Sequence, residues 1–334
     1  MNKNCNTVKR CFAAFCVAAV LITGMAAGIC GCGSGKENGK LTEIQEEIGR
    51  FREGGEFGGD AGRYMTEGRP DAVVLEELSR GLTREEEHVR EQICHLLADL
   101  GKRVDPLYSK GGELIRDRSV VAMLAGDVLS RQTPARDICL EYLLRNVPAV
   151  LLKGFGKQLA DNLRLFPDQV LLLVIAKAKL TEAAETVDLL MENPGWAKEA
   201  ETRVAAAALG NREIEKEFTD RFMAETDPKE KSRLAKLLGY IGTQTALTAV
   251  AGEMRTDLVI ENPNVSVRSL RIFLVEALRY NYPDKLFLFD NAVSSDADYE
   301  VIEKFCEDTF GVRWKSERPP FLWIEGFPSA GPGE

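Results

Sequence analysis

Asp227-Pro228-Lys229-Glu230-Lys231-Ser232-Arg233-Leu234-Ala235-Lys236-Leu237-Leu238-Gly239-Tyr240-Ile241-Gly242 is the stretch that decides the fold. Pro228 opens it with Asp227 beside it, a pairing that starts a helix, because the carboxylate can accept orphan N–H groups and the fixed φ of proline suits the first turn. Counted from Lys231, Leu238-Gly239 falls seven and eight positions on, and Ile241-Gly242 ten and eleven. Thr243 to Met254 then reads as a second helix. The same offsets recur elsewhere. Arg90 is followed by Leu97, Ala98, Leu100 and Gly101, and Arg118 by Ala125, Gly126, Val128 and Leu129. Leu209-Gly210 closes an alanine-rich helix that begins near Arg203, and Leu278 marks a later unit that the pattern starts at Val267.

Anchor positions 90 and 118, then 202 and 231, lie 28 and 29 residues apart, the length of two short helices and their turns. Position 271 follows after a longer loop at Glu261-Asn262-Pro263-Asn264. One helix pair cannot bury its own apolar stripe, so a tandem of pairs buries it between neighbours. Within Glu85 to Gly101, Val89, Ile93, Leu96, Leu97 and Leu100 share a face, and the small Ala205–Ala208 run invites a close neighbour. Residues 148–194 are helical by pattern with decayed repeat marks, as divergent repeats or a four-helix-bundle-like insertion. From these residues the chain resembles the HEAT-like repeat proteins, in the short form found in phycobilin lyases. The resemblance covers about residues 70–312 and implies an all-α fold, an α-solenoid of about five to seven stacked helix pairs whose successive second helices line a concave face. The pattern is nearly silent on function.

The N-terminal segment speaks to location. Lys3, Lys9 and Arg10 form a basic region, and Cys11 to Ile29 carries no charge and is almost wholly apolar, as in an export signal. Ile29-Cys30-Gly31-Cys32 resembles the lipobox of bacterial lipoproteins, with Cys32 the lipidation site and Cys30 the weaker candidate because bulky Ile29 would precede the cut. That resemblance implies a signal peptide over 1–31 and a mature N-terminus at Cys32 bearing a diacylglycerol and an N-acyl chain, palmitate in kind. Two or more chains, at about 0.8 kcal/mol per buried methylene, hold a protein firmly on a bilayer. Two other readings fit the segment: an uncleaved anchor, since Cys11–Gly31 has roughly the 20-residue spanning length, and an ordinary cleaved signal. The glycine-rich Gly33–Lys40 favours the lipoprotein, as a flexible tether. All three place the chain outside the cytoplasm, on the cell membrane or the outer membrane for the lipidated form.

Of the 43 basic and 52 acidic residues, only Lys3, Lys9 and Arg10 precede Cys32, so the remainder keeps 40 against 52, a net charge of −12. Such a surface argues against nucleic acid and anionic lipid, which need a basic face. Cys94, Cys139 and Cys306 remain beyond the signal, each inside a helical pattern, and read as small packed thiols; a disulfide pair stays open in an oxidising compartment. Residues 32–69 read as the lipidated cysteine, the tether, a short helix at Leu41–Phe51 and a glycine-rich linker at Glu53–Gly62. Residues 313–334 read as a Pro/aromatic tail, centred on Phe321–Phe327, that either caps the last helix pair or docks on a partner. Ser295 and Asp298 form a capping box for the preceding helix.

Candidates for chemistry are few. His88 and His95 share a polar helix face with Glu91 and Asp99. His95 with Asp99 at i,i+4 is the best start of a metal site, yet the two histidines are about 10 Å apart along a helix, too far for one ion. Asp296-Ala297-Asp298-Tyr299-Glu300 lacks the glycine a calcium loop needs at its sixth position, and reads as a helix cap. Relatives that hydroxylate a modified lysine use repeated His-Glu pairs, and this chain has none. No phosphate loop or nucleophile elbow is present. The sequence therefore predicts no catalytic, cofactor or metal residues, and no cofactor. It predicts a scaffold anchored through Cys32 that binds another envelope protein. A divergent enzyme or small-ligand binder, with a pocket between repeats, is the second reading.

Overall fold

The computed structural model describes residues 34–66, 69–103, 134–262, 266–286 and 296–319. Cys32 and the signal region, the unit at Arg118, Ser295 and the Phe321–Phe327 segment lie outside the described residues. The fold is all-α, with two short β-hairpins.

Helix α1 (Ser34–Arg52) buries Ile44, Ile48 and Phe51 against α2 (Ala72–Arg84) and α3 (Glu87–Arg103). Ser34–Lys40, expected as tether, is the first part of α1. Once the Ile44–Phe51 face is pinned, each further residue adds a backbone hydrogen bond at low cost. Lys40 also fixes the turn above it, donating to the Met65 carbonyl at 2.7 Å. The glycine-rich Glu53–Gly62 stretch is a fixed loop rather than a linker. Its backbone lies on α3, with the Phe57 N–H donating to Gln92 Oε1 (2.8 Å) and the Ala61 N–H to Asp99 Oδ2 (3.2 Å). Ala61 and Tyr64 are fully buried, so the core begins before Pro70, the boundary expected from the repeats. Strands β1 (Met65–Thr66) and β2 (Arg69–Pro70) pair antiparallel just before α2.

Beyond α3 follow α4 (Pro134–Asn146), α5 (Ala149–Leu152), α6 (Gly156–Leu165), α7 (Gln169–Ala178), α8 (Ala184–Glu192), α9 (Ala200–Ala208), α10 (Arg212–Ala224), α11 (Pro228–Ile241) and α12 (Gln244–Gly252). Strands β3 (Val259–Asn262) and β4 (Ser266–Ser269) precede α13 (Leu270–Arg279), α14 (Pro283–Leu286) and α15 (Asp296–Phe310). The helix expected from Val267 therefore starts at Leu270. Ser266–Ser269 pairs with Val259–Asn262 instead, and the Ser269 hydroxyl caps α13 by accepting from the Arg271 N–H (3.3 Å). Asp168, Asn211, Asp227 and Thr243 start α7, α10, α11 and α12 in the same way.

The helices pack in a row: α3 on α4, α4 on α7, α7 on α9, α9 on α11, α11 on α13. A second set lies beside it, with α6 against α8, α10 against α12, and α12 against α15. The row is the apolar centre. In α7, Leu171, Leu172, Val174, Ile175, Ala176 and Ala178 are all fully buried, as expected of a helix covered on most sides. Fully buried Ala205 and Ala207 let α9 fit between α7 and α11. Gly239 does the same for α11 and α13: a Cβ there would meet the Ala277 carbonyl oxygen at 2.7 Å.

Basic side chains near the starts of the row helices are laid on aromatic rings. The Arg136 guanidinium lies 6.0 Å from the Phe166 ring and donates to the Phe166 carbonyl (2.8 Å). Arg203 lies 5.9 Å from Phe218 and pairs with Glu217. The Lys231 ammonium lies 5.2 Å from Phe222, 2.8 Å from Glu253 and donates to the Glu225 carbonyl. Arg271, 1% exposed, lies 4.3 Å from the Tyr299 ring. A buried charge is costly unless paired, and each of these is met by a ring, a carboxylate or a carbonyl.

Residues 311–319 return across α12 and α15. Trp314 Nε1 donates to the Gly252 carbonyl (2.9 Å), and Arg255 lies 5.0 Å over the Trp314 ring while donating to the Ser316 carbonyl (2.6 Å). Glu303 of α15 receives Arg255 (3.1 Å) and Arg318 (2.7 Å). Burial would push the Glu303 carboxyl up, but hydrogen bonds and charge from Arg318 and Arg255 outweigh it and hold it below the ordinary 4.5. Because the folded pKa is depressed, the pairing stabilises the protein above the unfolded value and is lost as pH falls through the folded one. Arg318→Met should therefore cost about 1 kcal/mol at neutral pH and nearly nothing once Glu303 is protonated, read as the difference in melting temperature from wild type across an acid titration. A difference that stays constant down to strong acid would refute the pairing.

Candidate functional site

The i,i+4 spacing of Asp137, Glu141 and Arg145 puts three charges on one face of α4, and the Arg145 Nε–Glu141 pair closes at 2.6 Å. Opposite them α3 presents exposed His95. Between the two helices lies a cleft of about 450 Å³, lined by His95, Ala98, Asp137, Ile138, Glu141, Tyr142, Arg145 and Asn146. Gly101 lets α3 and α4 approach closely, since a Cβ there would collide with the Tyr142 hydroxyl.

Away from the cleft, the buried ring of Tyr240 in α11 stacks on Tyr280, just past α13, at 4.7 Å and 7°. The Tyr280 hydroxyl donates to Glu276 Oε1 (2.9 Å), and the Lys177 ammonium lies 5.8 Å from the Tyr280 ring while donating to the Leu144 carbonyl (2.7 Å). The C-terminal ends of α4, α7, α11 and α13 thus meet. Such ends carry orphan carbonyls and the negative pole of the helix dipole, and donors from neighbouring helices answer them: Lys177 at Leu144, Lys179 at Gly242, and Asn281 Nδ2 at Gly239 (2.7 Å). The sequence pattern places the binding face on the second helix of each pair, whereas the helices drawn together here are α4, α7, α11 and α13, of which α4, α11 and α13 carry a basic side chain near their starts.

Lys179 is the one described non-glycine residue at positive φ (53°), the position that Gly242 (61°) fills after α11. Lysine at this position accounts for the missing glycine mark at residue 179: the left-handed residue is kept, and its side chain reaches past α9 to cap α11. Burial first, then the nearby Lys153 charge, lowers the Lys179 pKa, with Glu215 opposing. The amine is nonetheless committed to the Gly242 carbonyl. Burial raises Tyr240 to about 12, and burial with Tyr240 and Glu276 raises Tyr280 further. A phenol with its pKa raised by burial is less available as phenolate at neutral pH.

The expected histidines part company. His88 is half exposed with Glu86 3.9 Å away, and His95 enters the cleft. Asp99, the metal-site partner considered for His95, accepts instead from the Ala61 N–H. Among the described residues no group of three or more His, Cys, Asp or Glu side chains is placed to hold a metal ion. Asp296 opens α15. Cys94, Cys139 and Cys306 are buried free thiols. Among the described residues no helix is long and apolar enough to cross a membrane. Glu141 and Arg145 were missed, although their i,i+4 spacing was an available signal, and the Tyr240–Tyr280 stack joins residues 40 positions apart with no local signal.

Comparison with protein-family models, with curated proteins and with solved structures finds no match to this chain.

Lys179→Ala should destabilise the protein by about 1–2 kcal/mol through loss of a charge-assisted hydrogen bond. Lys179→Gly loses the same bond but relieves about 1 kcal/mol of left-handed strain. The expected order by urea denaturation is wild type, then glycine, then alanine; alanine as stable as glycine would contradict the strain at this position.

Proposed function

We propose that this protein is an anchored scaffold: an α-solenoid of HEAT-like helix pairs, tethered through lipidated Cys32 to the outer side of a bacterial membrane, that binds another envelope protein along the row from α3 to α13. The observation that carries the reading is the open cleft between α3 and α4, with exposed His95 on one side and the Glu141–Arg145 pair on the other. The serial packing of α3, α4, α7, α9, α11 and α13 supports the solenoid. The lipobox-like Ile29–Cys32 supports the anchor.

The enzyme reading has less support. A site for chemistry brings together groups whose pKa values are pushed toward the task. Here the tyrosines are pushed away from reactivity and Lys179 is spent on a helix end. A rigid face with exposed charges at its open end suits recognition.

The test places a photo-crosslinking amino acid at His95 or Arg145 of the full-length protein in its native membrane, with a control at exposed Glu76 and a Cys32→Ala strain. One stoichiometric envelope protein should be captured from positions 95 and 145, not from 76, and lost when Cys32 is replaced. Equal capture from all three sites, or none, would overturn the scaffold reading.

A further inference from the structure

The helices α3 and α4 carry one cysteine each at the middle of their contact. Cys94 and Cys139 are fully buried, 45 residues apart in sequence, with their sulfurs 3.5 Å apart. No other pair of thiols among the described residues meets, and Cys306 sits far along the chain in α15. We propose that Cys94 and Cys139 form a disulfide that staples α3 to α4 directly behind the cleft. The sulfurs have to close by about 1.5 Å to reach a bond of about 2.05 Å, and the partners already face each other inside a packed interface.

The reaction is thiol–disulfide exchange with a disulfide donor, small-molecule or protein, of the extracytoplasmic space. One cysteine, as thiolate, attacks the donor and expels one donor thiolate; the second cysteine attacks the mixed disulfide and expels the other. Two protein S–H bonds are lost, one S–S bond forms, and the donor disulfide takes up the two electrons and the two protons to become two thiols. The step belongs to the folding chain. In the closed protein, the contact with Cys94 and burial both push the Cys139 thiol well above its ordinary value, which starves exchange of thiolate. Once made, the bond is shielded by the same burial. Cys306 serves as internal control, since burial and the Glu303 and Glu307 charges raise it to about 12 and no other thiol among the described residues meets it.

The staple has a use at the site. Glu141 and Arg145 line the cleft from α4 and His95 from α3, so the cleft keeps its width only while the two helices stay in register. The chain between them is long, and a cross-link that closes a loop of this length removes unfolded-state entropy.

The proposal draws on the extracytoplasmic reading only for its oxidant, and the test separates the two. Full-length protein is unfolded and reduced, refolded in a mixture of reduced and oxidised glutathione, blocked with an alkylating reagent and digested without reduction. The expected product is a peptide pair joined through Cys94 and Cys139, with Cys306 alkylated, and a melting temperature that reduction lowers by several degrees in wild type but not in Cys94→Ala/Cys139→Ala. Alkylated Cys94 and Cys139 after refolding, with no effect of reductant on melting, would overturn the pairing. Protein taken from its native envelope with thiols blocked at lysis forms the second arm. The same linked peptide there supports both readings; a link made in glutathione but absent from the envelope overturns the proposed location and leaves the pairing standing.

Discussion

Cationic side chains hold the row together at both ends of its helices. Near their starts, Arg136, Arg203, Lys231 and Arg271 lie on aromatic rings of neighbouring segments. At their ends, Lys177 and Lys179 donate to carbonyls of helices other than their own. Helices that run side by side in the same sense gather their negative poles together, which is unfavourable unless positive groups are supplied. Apolar burial sets the spacing of the row, and these cations let parallel ends be buried at all.

That constraint shapes the functional face. Where the ends of α7, α11 and α13 converge, the space between them is filled by buried Tyr240 stacked on Tyr280 and by the buried Lys177 stem. Between α3 and α4 no such closure occurs, and the charges of Glu141 and Arg145 stay accessible. A rigid floor with an open, charged end is a surface on which a partner can be positioned with little ordering cost.

The helical architecture was legible from Asp227–Gly242, because capping, leucine spacing and glycine placement there agree at every level. Gly239 meets the Ala277 backbone and Gly242 takes the left-handed residue, so both glycine marks report geometry. The glycine mark is missing at residue 179 because lysine takes the left-handed position there, which spacing rules cannot score. Glu53–Gly62 looked like a linker because glycine pairs signal freedom in isolation, whereas here Gln92 and Asp99 of α3 hold the loop. The hairpin of Val259–Asn262 with Ser266–Ser269 was missed for a similar reason: its pairing lies across the loop, not along the helix. The cleft itself depends on which helices meet, information that one sequence without pairing signals does not hold.

The central claim is that the row acts as one unit, since α7 contacts α11 past α9, Lys179 reaches Gly242, and Lys177 reaches the ring of Tyr280. Native-state hydrogen exchange, followed helix by helix as denaturant is added, tests it most directly. The account predicts that the slowest amides of α7, α9, α11 and α13 merge into a single opening reaction with one free energy. Opening of α13 at a much lower free energy, while α7 and α9 stay protected, would contradict it.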